Sequence, residues 1–290
     1  MEKILVTGAD GQLGHELKFL SRDDARFIFT DVKELDICDG TGVEAFINAN
    51  GIGKIINCAA YTNVNKAEEE EDLAYRINCT GAATLAKAAA AHNATLIHIS
   101  TDYVFDGRKE TPWFEAERTN PKSAYGRTKR AGEIAVQSSG AKSIIIRTAW
   151  LYSSWGSNFV KTILRKSLEG EINVVDDQFG TPTYARDLAQ AILHILPQLD
   201  VSPRYGEIFH YTDEGKCSWA EFAAKIIQLK HIDCIISPIS TDMMSSPAQR
   251  PRFSILDKTL IRTAFGVETP AWERSLAKML KLVTSEGEMI

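Results

Sequence analysis

The sequence has little that would staple, anchor or charge a fold. Its five cysteines, Cys38, Cys58, Cys79, Cys217 and Cys234, are odd in number, scattered and without a CxxC pair. They predict reduced thiols, as in a cytoplasmic protein, and argue against a disulfide framework or a cysteine-held metal. No apolar run reaches the ~20 residues that cross a bilayer, so no membrane partner is expected. The opening "MEKILVTGADG" enters a strand pattern at once and lacks the basic region, apolar stretch and cleavage site of a signal peptide. Basic charge is not in excess: Lys+Arg number 33 against 38 Asp+Glu, a net charge of −5, which argues against nucleic acid. There is no internal repeat, and the acidic run at 68–71 reads as a solvated face.

What is present is a chain of 290 residues, 44% hydrophobic, with room for a large core. Short apolar, β-branched runs recur: "KILVTG", "FIFTD", "KIINCAA", "TLIHIST" and "SIIIRTAW". They are nearly continuous in apolarity, as strands covered on both faces are. Helical patterns lie between them. This alternation predicts an α/β fold, a doubly wound parallel Rossmann sheet with right-handed crossovers. After Trp150 the rhythm changes, which predicts a smaller α/β substrate-binding lobe. The expected division is 1–150 plus 184–212 for the dinucleotide-binding domain and 151–183 plus 213–290 for the smaller lobe.

Gly8, Gly11 and Gly14 stand in "TGADGQLGHEL", after the first strand and at the opening of the first helix. Glycines there permit a tight turn and close approach of a pyrophosphate, and the helix start offers free N–H groups to the anion. Gln12 and Leu13 lie inside the same turn. Asp31 ends the second strand 17 positions after Gly14 (31 − 14). That is close to the ~20 expected of a carboxylate that bonds the adenosine ribose. Its charge would repel a 2′-phosphate, so either NADH or NADPH is the expected cofactor, with NADH favoured. Asp36 and Ile37 are candidates for the adenine side. Ala60, Tyr61 and Thr62 follow the third strand and are candidates for the cofactor's flank.

Thr101 ends the fourth strand, and Tyr125 and Lys129 stand four apart on one helix face. A Tyr-x-x-x-Lys match alone is weak, but the glycine turn upstream gives it context. A free phenol has a pKa of about 10, and a nearby ammonium lowers it. Lys129 can also bind the nicotinamide ribose, and Thr101 can bond the reacting oxygen. The three make a general acid beside a hydride donor.

The set "TGADGQLG", "STDYVFDG", "YGRTKRAGE", "RTAWLY", "NFVKTIL", "DQFGTPTYARDLA" and "CSWAEFA" covers nearly the whole chain in order. It resembles the dTDP-4-dehydrorhamnose reductase family of the extended short-chain dehydrogenase/reductase superfamily. The resemblance implies NAD(P)H-dependent reduction of the C4 keto group of dTDP-4-dehydro-L-rhamnose to dTDP-L-rhamnose, with Tyr125 as proton donor. It carries substrate contacts onto Thr101, Asp102 and Trp150; Gln178 and Arg252 are further substrate candidates. For Trp150 the plain alternative is a core tryptophan, and for Arg252 a solvated loop arginine. Some members of the family dimerise through Mg²⁺ held by glutamates; only Glu16 matches, so no metal is expected, and the chain is expected to be a monomer or a homodimer. Dehydratases of the superfamily carry Asp-Glu after the threonine, whereas Asp102 and Tyr103 follow here. Another nucleotide-sugar reductase or 4-epimerase of the same superfamily and a non-catalytic dinucleotide-binding regulatory subunit remain as alternatives.

Overall fold

Adjacent residues of one strand enter different cores, and that dictates the layering. In the computed structural model, which describes residues 2–201 and 204–290, Ile4 and Val6 pack on one face of the sheet and Leu5 on the other. The same alternation separates Ile144 and Ile146 from Ile145. A strand that feeds two cores is apolar at most positions, which explains the nearly continuous runs; its polar members, such as His98 and Arg147, are buried with partners. Each such Ile or Leu, fully buried, contributes about 1.5–3 kcal/mol.

The first half comprises β1 (Lys3–Thr7), α1 (Gln12–Leu20), β2 (Phe27–Thr30), α2 (Gly40–Asn50), β3 (Ile52–Asn57), α3 (Glu71–Tyr75), α4 (Ala82–Ala91), β4 (Thr95–Thr101), α5 (Ala124–Gln137) and β5 (Lys142–Thr148). The rest comprises β6 (Leu151–Tyr152), α6 (Phe159–Lys166), β7 (Glu171–Val175), β8 (Phe179–Gly180), β9 (Thr183–Tyr184), α7 (Ala185–Val201), β10 (Ile208–His210), β11 (Cys217–Ser218), α8 (Trp219–Lys230), β12 (Ile235–Ile239), α9 (Thr259–Phe265) and α10 (Trp272–Leu280).

Six strands form the central sheet in the order β10-β5-β4-β3-β1-β2, and every pair is parallel. The chain leaves β1 toward β2 and returns on its other side as β3. A crevice therefore opens at the carboxyl ends of β1 and β3, the topological switch point. Helices α1, α7 and α9 supply Leu17, Ile192 and Ile261 to one face. Helices α2, α4 and α5 supply Ile47, Leu85 and Val136 to the other. Helix α9 thus packs on the Rossmann sheet, although it lies within 213–290. Helices α6, α8 and α10 and strands β7 and β12 form a separate core around Leu164, Phe222 and Leu276.

Helix α7 differs from its sequence pattern. "RDLAQAILHIL" suggests an end before Pro197, yet the helix runs through that proline to Val201. Leu196 and Leu199 are both buried in the sheet core, and that packing outweighs the missing N–H of Pro197.

Candidate active site

The glycine turn is shaped by contact. Gly8 has φ +69°, and a Cβ on Gly14 would lie 2.5 Å from the Gly8 carbonyl oxygen. Only glycine lets α1 come this close to β1. Gly11 caps α1 with no side-chain bond, so the first amides of the helix remain available to an anion. A dinucleotide pyrophosphate fits this cradle.

At the next strand end, Asp31 Oδ2 accepts from the Asp10 amide at 3.0 Å and Oδ1 from the Val32 amide at 2.8 Å. The carboxylate is held at the mouth of a cleft of about 710 Å³. That cleft is lined by Gly8, Gly11, Gln12, Leu13, Gly14, Asp31, Asp36, Ile37, Ala60 and Thr62. Thr101, Asp102, Tyr125, Lys129 and Trp150 line it too. Of the cofactor candidates only Tyr61 stands aside: its hydroxyl donates to Glu70 Oε2 at 2.7 Å. Its backbone is clamped by Asn78, whose side chain accepts from the Tyr61 amide at 2.8 Å and donates to the Tyr61 carbonyl at 3.1 Å.

Helix α5 is brought to β4 by local sequence. Ser123 caps it, its Oγ accepting from the Gly126 amide at 3.1 Å. A Cβ on Gly126 would lie 2.3 Å from the Tyr103 carbonyl oxygen. The first turn of α5 therefore sits against the end of β4, with Tyr125 beside Thr101. Burial raises the Tyr125 phenol well above its usual pKa; hydrogen bonding with Thr101 opposes this, and the Asp102 and Tyr103 charges add to it. The spacing of Tyr125 and Lys129 suggested the reverse, a phenol lowered by the ammonium. The reason for the difference is where Lys129 points. Its buried Nζ donates to the Ile99 carbonyl at 2.6 Å, and burial brings its pKa down to about 8 against the pull of Glu133 and Cys58.

Asp102 is buried, and Oδ1 accepts from the Thr101 hydroxyl at 2.9 Å. Oδ2 has no hydrogen-bond partner among the described residues. Burial pushes this carboxyl up to about 7 against the pull of Thr101. Trp150, between β5 and β6, has φ +46°. For a bulky side chain such a conformation costs of order 1–3 kcal/mol and persists only where surroundings impose it.

Gln178 and Arg252 are not in this cleft. They line a second one of about 990 Å³, with Arg108, Lys109, Lys216 and Arg250 among the cations. Arg252 is exposed and 3.9 Å from Asp242. The two clefts meet where Arg250 Nη1 donates to the Tyr103 hydroxyl at 3.1 Å. The "RPR" stretch signalled an arginine here, but only the fold distinguishes Arg250 from Arg252. Asn158 was missed as well: it caps α6 and donates to Gln12 Oε1 at 3.0 Å, tying the glycine turn to α6. An Asn just before an apolar helix pattern is its signal.

Glu16 is buried and engaged internally, accepting from Ser153 Oγ at 2.6 Å and Arg186 Nε at 2.7 Å. Among the described residues no group of three or more His, Cys, Asp or Glu could hold a metal ion. None of their helices is long and apolar enough to cross a membrane. His98 meets Asn57 at 3.0 Å within the sheet, as a core histidine does.

A sequence model described as the RmlD substrate binding domain matches residues 1–285. The chain is 40% identical to a dTDP-4-dehydrorhamnose reductase of Aggregatibacter actinomycetemcomitans, over 95% of this chain and 97% of that protein. It also superimposes on a crystal structure of a dTDP-4-dehydrorhamnose reductase from Clostridium acetobutylicum, with TM-score 0.91 and 42% identity, over 97% of this chain and 99% of that one. A Bacillus anthracis dTDP-4-dehydrorhamnose reductase solved in complex with NADP is 39% identical, with TM-score 0.90 and the same coverage, 97% and 99%. By sequence and fold alike, the chain belongs to the dTDP-4-dehydrorhamnose reductase family.

Proposed function

We propose that this protein uses NAD(P)H to reduce the C4 keto group of dTDP-4-dehydro-L-rhamnose to dTDP-L-rhamnose. The observation that carries the reading is the convergence of Thr101, Tyr125 and Lys129 in one cleft with the glycine turn. When bound there, reduced nicotinamide supplies a hydride. Tyr125 gives its proton to the carbonyl oxygen; a phenol raised by burial remains protonated at neutral pH, as an acid must. Thr101 orients that oxygen, and Lys129 holds a ribose hydroxyl with its ammonium. Asp102, Trp150 and Gln178 position the sugar, while Arg252 and the other cations of the second cleft take the nucleoside diphosphate. Tyr103, paired with Arg250, occupies the place where a dehydratase needs a carboxylate. The division into a dinucleotide lobe, 1–150 plus 184–212, and a sugar-nucleotide lobe, 151–183 plus 213–290, fits this reading once α9 is moved to the former.

The test is oxidation of NADH or NADPH by the purified protein with dTDP-4-dehydro-L-rhamnose. Substrate-dependent oxidation that yields dTDP-L-rhamnose supports the proposal, and its absence with both cofactors sinks it.

Asp31 supports a preference for NADH, since a fixed carboxylate repels a 2′-phosphate. The Bacillus anthracis relative was solved with NADP, so the preference is to be measured in this chain. Asp31→Asn should move the ratio of kcat/KM for NADPH over NADH upward by about tenfold or more, the scale of a removed like-charge contact. An unchanged ratio would show that Asp31 does not select the cofactor.

A further inference from the structure

Trp150, with its unfavourable backbone conformation, stacks on another indole. The Trp150 and Trp219 rings are stacked, with centroids 3.4 Å apart and planes 6° from parallel. Trp219 is the first residue of α8, whose start is fixed by a reciprocal capping box between Ser218 and Glu221. Its Nε1 donates to Gln178 Oε1 at 3.2 Å, and Phe159 packs on it with centroids 4.5 Å apart. Antiparallel pairing of β8 with β11 brings Gly180 opposite Cys217. A Cβ on Gly180 would lie 2.4 Å from Trp150 Cε2. The Trp150 indole is thus seated between a site with no room for a side chain and a ring anchored at three points. Trp150 lines the first cleft and Gln178 the second, so Trp219 joins the two.

We propose that Trp219 is a positioning residue for the reaction: it sets the plane on which Trp150 receives the sugar ring and ties that plane to Gln178. This rests on the reading of Trp150 as a sugar contact. Trp219 does not line the first cleft itself; it acts through Trp150. A structural role alone would have Trp219 affect folding and every ligand equally. A positioning role confines its effect to the sugar.

The experiment compares wild type, Trp150→Ala, Trp219→Ala, Trp219→Phe and the double alanine variant. Each is assayed for turnover, for NADPH binding, and calorimetrically for binding of dTDP-glucose against dTDP. Trp219→Ala should raise KM for the keto sugar roughly 3- to 10-fold, the scale of a lost aromatic pair. NADPH and dTDP affinity should stay within about twofold of wild type by the same reasoning. Trp219→Phe should restore most of the loss, and the double variant should be no worse than Trp150→Ala. A Trp219→Ala variant with unchanged KM and dTDP-glucose affinity overturns the inference. So does one that weakens NADPH, dTDP and dTDP-glucose alike, or a double variant whose losses simply multiply. Absence of turnover in wild type defeats the reductase reading, and the dTDP-glucose arm still decides the role of Trp219.

Discussion

Replacing Tyr125 by Phe should lower kcat by at least about 10²-fold, the contribution of a positioned general acid. The ring still fits beside Tyr103, with which Tyr125 makes an edge contact at 5.4 Å between centroids. Binding of NADPH should therefore be unaltered. The geometry also gives this reaction a pH profile. Burial raises the Tyr125 phenol, so it stays protonated across the working range. Lys129 has its pKa brought down to about 8 by burial; its ammonium is present below that pH and lost above it. Activity that depends on the Lys129 charge should accordingly fall as pH rises through about 8. A Tyr125→Phe variant with wild-type kcat, measured at pH 7 with saturating NADPH, would remove Tyr125 from the chemistry.

The second large effect lies behind the site. Glu133, one turn beyond Lys129 on α5, is completely buried. Its Oε1 accepts from Arg147 Nε at 2.7 Å and Ser100 Oγ at 2.6 Å, and its Oε2 from Arg147 Nη2 at 2.8 Å and Arg130 Nη1 at 2.9 Å. Burial alone would raise this carboxyl, but the Arg147 guanidinium pulls it below its usual value. Arg147→Met leaves a buried carboxylate with part of its neutralising charge gone. It should cost about 3–5 kcal/mol in denaturant unfolding at pH 7. Because the folded-state pKa is depressed, the stabilisation is present above the unfolded value of ~4.3 and disappears as pH falls through the folded one. The penalty of Arg147→Met should shrink accordingly in acid. Adding Glu133→Gln should recover part of the loss, because the unpaired charge is gone. A cost below about 1 kcal/mol would place the pair among those of little net worth.

The buried network also marks where the sequence stops being legible. Strands could be read because feeding two cores leaves mostly apolar, β-branched runs, with buried polar residues such as His98 and Arg147 as exceptions. The turn at Gly8–Gly14 could be read because close approach leaves glycine as the only fit at Gly14. The convergence of Thr101, Tyr125 and Lys129 could be anticipated because strand ends and a helix face fix it. The direction of the Lys129 ammonium could not: it depends on the Ile99 carbonyl, 30 residues away and on another element. Glu133 and Arg147 looked like ordinary charges because nothing local says that both are covered. Arg250 and Arg252 are separated by one proline, and only the position of Tyr103 distinguishes them. Trp219 sits in an apolar helix pattern, where a tryptophan reads as core. Its partner Trp150 is 69 residues earlier (219 − 150), and its φ of +46° has no sequence signature. The continuation of α7 through Pro197 is of the same kind, local propensity overruled by tertiary packing.

The central claim is that hydride arrives at C4 of the sugar while Tyr125 protonates the oxygen. NADPH, or NADH, deuterated at its transferable position tests it most directly when incubated with the protein and dTDP-4-dehydro-L-rhamnose. The account predicts dTDP-L-rhamnose carrying deuterium at C4, formed by wild type and suppressed in Tyr125→Phe. Unlabelled product, label at another carbon, or no product from wild type would contradict it.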